Sequence, residues 1–369
     1  MTSLSANSPS PDQPLHVLHV VDDDVAARFG RMLRQVGLAL EEAGLRQTLL
    51  TDSVSLAAAL DATPVEVLGP RALYGLRSWG LSKSLTDHFE TPPDVVHFWG
   101  ASGLRGVGNW ATDEELPGLI HMTARDEVDE LCQRGLRPNE FVATACRAYW
   151  PPLAQRFPRI GATPNILVPA LLSPESEPVE IAAQPAQTLG ILWSGIIDED
   201  SGLPVLVDAI AALRGRGCEV HAALIGWGPA THKVWRHIRA RGVGDCVTLV
   251  EDLWLWDQAL AGADIYVIPA RQVELSLAPL LAMSLGKLVI AVRDQVADWM
   301  IEGQTVACFA PNLADELAVI ARRLSECDPP LVELRKSASR YVREHHSVTR
   351  LADRLVGAYR AILRAHAAS

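Results

Sequence analysis

No uninterrupted apolar stretch of about 18 residues occurs in the 369-residue chain, which leaves no candidate for a membrane-spanning helix. The opening residues, MTSLSANSPSPDQPL, have neither a basic start nor an apolar core, so they do not read as a secretory signal. The six cysteines stand singly, with no C-x-x-C pair and no histidine at ligand spacing. Disulfides and a zinc site are therefore not expected, and buried reduced thiols are. Basic residues are in deficit, 33 against 44 acidic ones, and a net charge of -11 argues against a nucleic-acid-binding surface. The expectation is a cytoplasmic protein with no metal and no transmembrane segment, residues 1–14 forming a disordered tail. Peripheral contact with a membrane stays open.

Apolar residues make up 49% of the chain, and its length exceeds what one core usually serves, so two domains are expected. Short β-branched runs alternate with helical patterns. The run 15–21 is followed by a helical stretch at 26–43 that stops at Gly44, and then by a strand at 47–50. Further runs lie at 94–99, 119–122 and 141–144, which predicts a doubly wound parallel domain over 15–170. Prolines recur from Pro164 to Gln187, and residues 171–187 read as an interdomain linker.

The alternation restarts at 189–193. It predicts strands at 220–225, 247–250, 265–268 and 288–292, with helices at 204–214, 231–241, 256–261, 278–285 and 296–302. A second α/β domain over 188–345 follows, closed by helices at 315–325, 331–344 and 348–366. The last of these carries Leu351, Leu355, Tyr359 and Ile362 at helical spacing.

Several segments carry chemistry. Val273 to Ile290 reads VELSLAPLLAMSLGKLVI, Ile225 to Pro229 reads IGWGP, Ala263 to Pro269 reads ADIYVIP, and Thr163 to Asn165 reads TPN. In this order they resemble the EGFGLPLLEAMALGKPVV, IGxGP, ADVxVxP and IPNG segments of the family 4 (group 1) glycosyltransferases. The resemblance covers nearly the whole chain. It implies a GT-B fold of two Rossmann-like domains facing across a cleft, with the donor held mostly by the second domain. It also implies a C-terminal helix, 346–369, that crosses back to the first domain, and retention of configuration if catalysis occurs.

Transfer from a nucleotide sugar needs positive charge for the departing diphosphate, from helix N-termini, backbone N–H groups or basic side chains when no metal is used. The resemblance places an arginine and a lysine in a GRLxxxKG loop after the first strand of the second domain. Here the loop reads GIIDEDSG, so Ile196 and Ser201 occupy those positions and Asp198, Glu199 and Asp200 lie between them. A lost cation about 5 Å from a phosphate forfeits roughly 3 kcal/mol at an effective dielectric near 20. The acidic run is read equally as a solvated turn capping the helix near Pro204. The family's E-x7-E pair falls on Val273 and Leu281, whose side chains accept no hydrogen bond. Glu274 is the nearest carboxylate, and its ordinary reading is a surface residue.

Asp22-Asp23-Asp24 stands where the family often has a Gly-Gly turn, and helix capping is the preferred reading. In LIHMTAR the family's first histidine position is His121 and its second is Ala124. His121 is therefore a weak catalytic candidate, with packing as the alternative, and His97 is read the same way. The donor-side candidates are Gly195, Gly226, Gly228, Arg271, Glu274, Ser276 and Arg293, with Lys233 as a further cation. The expectation is a glycosyltransferase-like protein with a degenerate donor site, needing a nucleotide sugar but no cofactor. The alternative is an inactive relative that binds a ligand or partners another glycosyltransferase in glycan or polysaccharide assembly.

Overall fold

The computed structural model describes residues 14–61, 63–68, 78–104, 106–161, 163, 165–170, 188–251, 256–271, 275–293, 295–309 and 312–368. The expected tail up to residue 13 and linker 171–187 lie outside them. The chain divides into two compact units: residues 1–145, 149–168 and 348–369 form the first, and 146–148 with 169–347 the second.

Unit 1 runs β1 (His16–Val21), α1 (Asp23–Glu42), β2 (Arg46–Thr51), α2 (Val54–Leu60), β3 (Glu66–Leu68) and α3 (Ser78–His88). It continues with β4 (Val95–Trp99), α4 (Val107–Asp113), β5 (Gly118–Met122), α5 (Arg125–Arg134), β6 (Glu140–Thr144) and α6 (Trp150–Arg156). Its strands are all parallel, in the order β3-β2-β1-β4-β5-β6. The central strands β1, β4 and β5 are buried at every position, as parallel strands covered on both faces must be. Helix α1 starts at Asp22, whose Oδ1 accepts the Val25 N–H at 2.7 Å, so the acidic run does cap a helix.

Unit 2 runs β7 (Leu189–Ser194), α7 (Leu203–Gly215), β8 (Val220–Ile225), α8 (Thr231–Ala240), β9 (Val247–Val250) and α9 (Trp256–Gly262). Then come β10 (Ile265–Ile268), α10 (Ala278–Ser284), β11 (Leu288–Val292), β12 (Ala307–Phe309), α11 (Leu313–Ser325) and α12 (Pro329–His345). The parallel order β12-β11-β10-β7-β8-β9 repeats the topology of unit 1 read from its other edge. Leu206, Ile210 and Leu213 of α7 and Leu317 and Ile320 of α11 bury against Leu189, Ile191 and Trp193 of β7. On the opposite face α10, buried along its whole length, packs on α12.

The last helix, α13 (Val348–Ala367), belongs to unit 1 and packs on α1, the return that the family resemblance implied. One predicted helix is absent. Residues 296–302 form turns because the Thr305 hydroxyl accepts the Ile301 N–H at 2.8 Å and donates to the Trp299 carbonyl at 2.5 Å. This local side-chain bonding competes with the helical ladder.

Candidate functional site

In an open parallel sheet, ligands bind beyond the carboxyl ends of the strands, where the strand order reverses. In unit 2 that point lies between β7 and β10. The loops after these strands meet there. A Cβ on Gly202 would lie 2.8 Å from the Ala270 Cβ, and Gly202 adopts a φ of +71°, so glycine is needed both for conformation and for close approach.

Gly202 is the N-cap of α7, and no side chain caps the helix. Asp198 does not fill that role: its Oδ1 accepts the Asp200 N–H at 3.0 Å, and the Ser201 hydroxyl donates to the Asp198 carbonyl at 2.9 Å. The acidic turn thus closes on itself, which corrects the expectation that it caps the helix at Pro204. The positive end of α7, where Leu203 and Val205 keep N–H groups without an intrahelical acceptor and Pro204 has none to offer, therefore begins beside Ala270.

Arg271 directly follows Ala270, is exposed and has no ion-pair partner among the described residues. The Ser276 hydroxyl, a few residues on, is buried and has no hydrogen-bond partner among them. Gln295, which the sequence reading missed, donates to the carbonyls of Ala270 at 3.1 Å and Val292 at 3.2 Å and so ties the ends of β10 and β11 together. Its position just past a strand end was the only signal available. Arg293 is engaged by Glu302 at 2.5 Å, and Lys233 pairs with Glu199, so neither is a free cation at the strand ends. Val273 and Glu274 lie outside the described residues. Leu281 is buried in α10.

Gly195, Gly226 and Gly228 serve the packing of the β7 and β8 ends. A Cβ on Gly226 would lie 2.0 Å from the Gly195 carbonyl oxygen, and one on Gly228 would lie 2.3 Å from that of Ile197. The Ile197 N–H also donates to the Trp227 carbonyl at 2.9 Å. Trp227 is 61% exposed, and Ile196, at the position where the resemblance places an arginine, is 41% exposed. Gly226→Ala is expected to cost about 1–3 kcal/mol through overpacking, read as a lowered urea midpoint at unchanged slope.

In unit 1 the strand ends carry a buried ion pair. Arg28 of α1 reaches Glu127 of α5 at 3.1 Å and Asp24 at 2.8 Å. Glu127 also accepts the N–H groups of Thr123 at 2.6 Å and Ala124 at 3.0 Å. Burial raises the Glu127 carboxyl above the ordinary range, against the pull of Arg28 and of those N–H donors.

His121 is not at the strand end. It lies in the core of unit 1, and its Nε2–H donates to the Leu167 carbonyl at 2.9 Å. Register pairs His19 with His97 and Trp99 with His121, so these side chains share one face of the sheet. Trp99 Nε1–H donates to His19 Nδ1 at 3.2 Å, and the Tyr359 hydroxyl of α13 meets His97 Nδ1 at 2.7 Å. Burial lowers His19 and His121 to about 4 and takes His97 well below 6.5. These are packed, neutral rings.

Two six-stranded parallel sheets of one topology, each wrapped by helices, are the two Rossmann-like halves of the GT-B glycosyltransferase fold. Solved structures share it: HepE of Anabaena in complex with UDP and glucose is 14% identical, with a TM-score of 0.72 over 94% of this chain and 100% of that one. Sucrose-phosphate synthase of Thermosynechococcus elongatus is 18% identical, with a TM-score of 0.70 over 95% and 100%. Residues 188–326, all within the second unit, match the model of the glycosyl transferases group 1. An alpha-D-kanosaminyltransferase of Streptomyces kanamyceticus is 27% identical over 176 residues, 47% of this chain. That match spans 45% of the relative's length. Among the described residues no helix is long and apolar enough to cross a membrane.

Proposed function

We propose that the chain transfers a sugar from a nucleotide-sugar donor, and that the donor's diphosphate lies between the N-terminus of α7 and Arg271. The carrying observation is the contact of Gly202 with Ala270, which sets a helix N-terminus that no side chain caps beside the residue preceding Arg271, an exposed arginine with no ion-pair partner among the described residues, at the topological switch point. A helix N-terminus offers N–H donors and a favourable dipole to phosphate, and arginine offers a bidentate fork. Arg271 would then take over the charge that Ile196 and Ser201 do not supply. Binding of UDP and glucose by HepE supports a nucleotide sugar as ligand class.

UDP-, GDP- and ADP-sugars at about a hundredfold over Kd should stabilise the protein by about 2.7 kcal/mol, a melting shift of roughly 5 °C or more for the sugar that fits. Arg271→Ala should abolish the shift without lowering the melting point of the free protein. If no nucleotide sugar produces a shift, the reading fails. A second reading then takes its place, favoured by the pairing of Lys233 with Glu199 and the self-closed Asp198 turn: an inactive scaffold acting as a partner subunit in glycan assembly. It predicts co-purification with a second glycosyltransferase-like chain at native expression.

A further inference from the structure

Helix α8 carries the opposite charge to the rest of the molecule. Its ten residues, THKVWRHIRA, include Lys233, Arg236 and Arg239 and no acid, in a chain of net charge -11. Val234 and Ile238 bury into the core of unit 2, which fixes the orientation of the helix. Positions 232, 235, 236 and 239 then share another face, at the spacing of adjacent helical turns. There His232, Trp235, Arg236 and Arg239 line a depression of about 310 Å³.

The charges on this helix divide into two sets. Lys233 is paired with Glu199, and His237 and Arg241 share Asp208, at 2.5 Å and 2.8 Å. The groups around the depression are left over: among the described residues the side chains of His232, Arg236 and Arg239 have no ion-pair or hydrogen-bond partner. Two guanidiniums three residues apart on one helix face repel each other by a few tenths of a kcal/mol, and an anion between them reverses the sign. Arginine binds phosphate through its planar fork, and the half-buried Trp235 supplies a flat apolar wall beside it. The volume lies at the lower end of the range for small-molecule sites.

We propose that this depression binds a phosphate-bearing ligand, with Arg236 and Arg239 on the phosphate and Trp235 against its apolar part. The site is separate from the strand ends discussed above and does not depend on the donor reading. The phosphate has two sources, a soluble phosphate compound or a lipid headgroup.

The test uses the full chain and the double variant Arg236→Ala/Arg239→Ala, whose side chains are exposed, so its melting curve should match that of the wild type. One arm titrates pyrophosphate by calorimetry. The other measures co-sedimentation with phosphatidylglycerol vesicles against phosphatidylcholine vesicles, both at low ionic strength. Wild-type binding to either probe that falls at least tenfold in the double variant supports the site, and the arm that responds identifies the source. A wild type that binds neither probe, or a double variant that binds like the wild type, overturns it. Arg271→Ala, introduced into both the parent chain and the double variant, removes any pyrophosphate held at the strand ends, so that the binding left over in each arm reports the α8 depression alone.

Discussion

Lowering the pH from 7 to 5 is expected to unfold unit 1 at temperatures where the neutral protein is stable. His19 and His121 are fully enclosed and held at about 4, and His97 lies well below 6.5, because burial in an apolar setting penalises the charged ring. His16, on the other face of the sheet and bonded through Nε2 to the Thr48 hydroxyl at 2.9 Å, is also lowered to about 4. In the unfolded chain each imidazole titrates near 6.5. As the pH falls, the unfolded state therefore takes up protons first. Relative to acid, the stability linked to these rings is complete above about pH 6.5 and is lost on the way down to about pH 4.

A ring shifted from 6.5 to about 4 contributes on the order of 3 kcal/mol once the pH has fallen to about 4, so His19 and His121 together match the lower part of a domain's whole stability of about 5–15 kcal/mol. Urea midpoints measured at intervals from pH 7.5 to 4.5 should fall with a slope of about two protons or more. A flat profile between pH 7 and 5 would contradict the neutral-core assignment.

The second large effect is expected from Glu127→Ala. The substitution leaves the almost wholly buried Arg28 guanidinium with the exposed Asp24 as its remaining carboxylate and removes the acceptor of the Thr123 and Ala124 N–H groups. Removing one partner of a buried pair costs about 3–5 kcal/mol, mostly through the charge left behind. Glu127→Gln keeps the shape and an acceptor oxygen and should recover part of the loss. Denaturant unfolding of the two variants checks this, and an alanine variant as stable as the wild type would show that water solvates Arg28.

The parts of this fold legible in the sequence were those that make long or repeated local patterns. Strands at 220–225, 247–250, 265–268 and 288–292 were read to the residue because each is an apolar run bounded by turn residues. The edge strands Glu66–Leu68 and Ala307–Phe309 were missed, since three residues leave no pattern to detect. Helix α5, RDEVDELCQR, was also missed: only Glu127, Val128 and Leu131 face inward, and one of these is a carboxylate.

At the strand ends, the sequence showed which cations were missing but not what stands in their place. The approach of Gly202 to Ala270 joins positions 68 residues apart through the β7–β10 crossover, and no local spacing encodes it. The glycines of IGWGP were read for the ligand, whereas their space is taken by the Gly195 and Ile197 carbonyls. The histidine cluster was hidden for a similar reason, because strand register brings it together and Tyr359, at the far end of the chain, completes it.

That tyrosine also bears on the order of folding. Unit 2 is nearly continuous in sequence, while unit 1 lacks α13 until residues 348–367 have been synthesised. On a ribosome adding about 5–20 residues per second, the sheet face bearing His97 must therefore wait uncovered while some 200 later residues emerge. The second unit written is the first that can close, and the N-terminal half of the chain is the part most exposed to chaperones and proteases during synthesis.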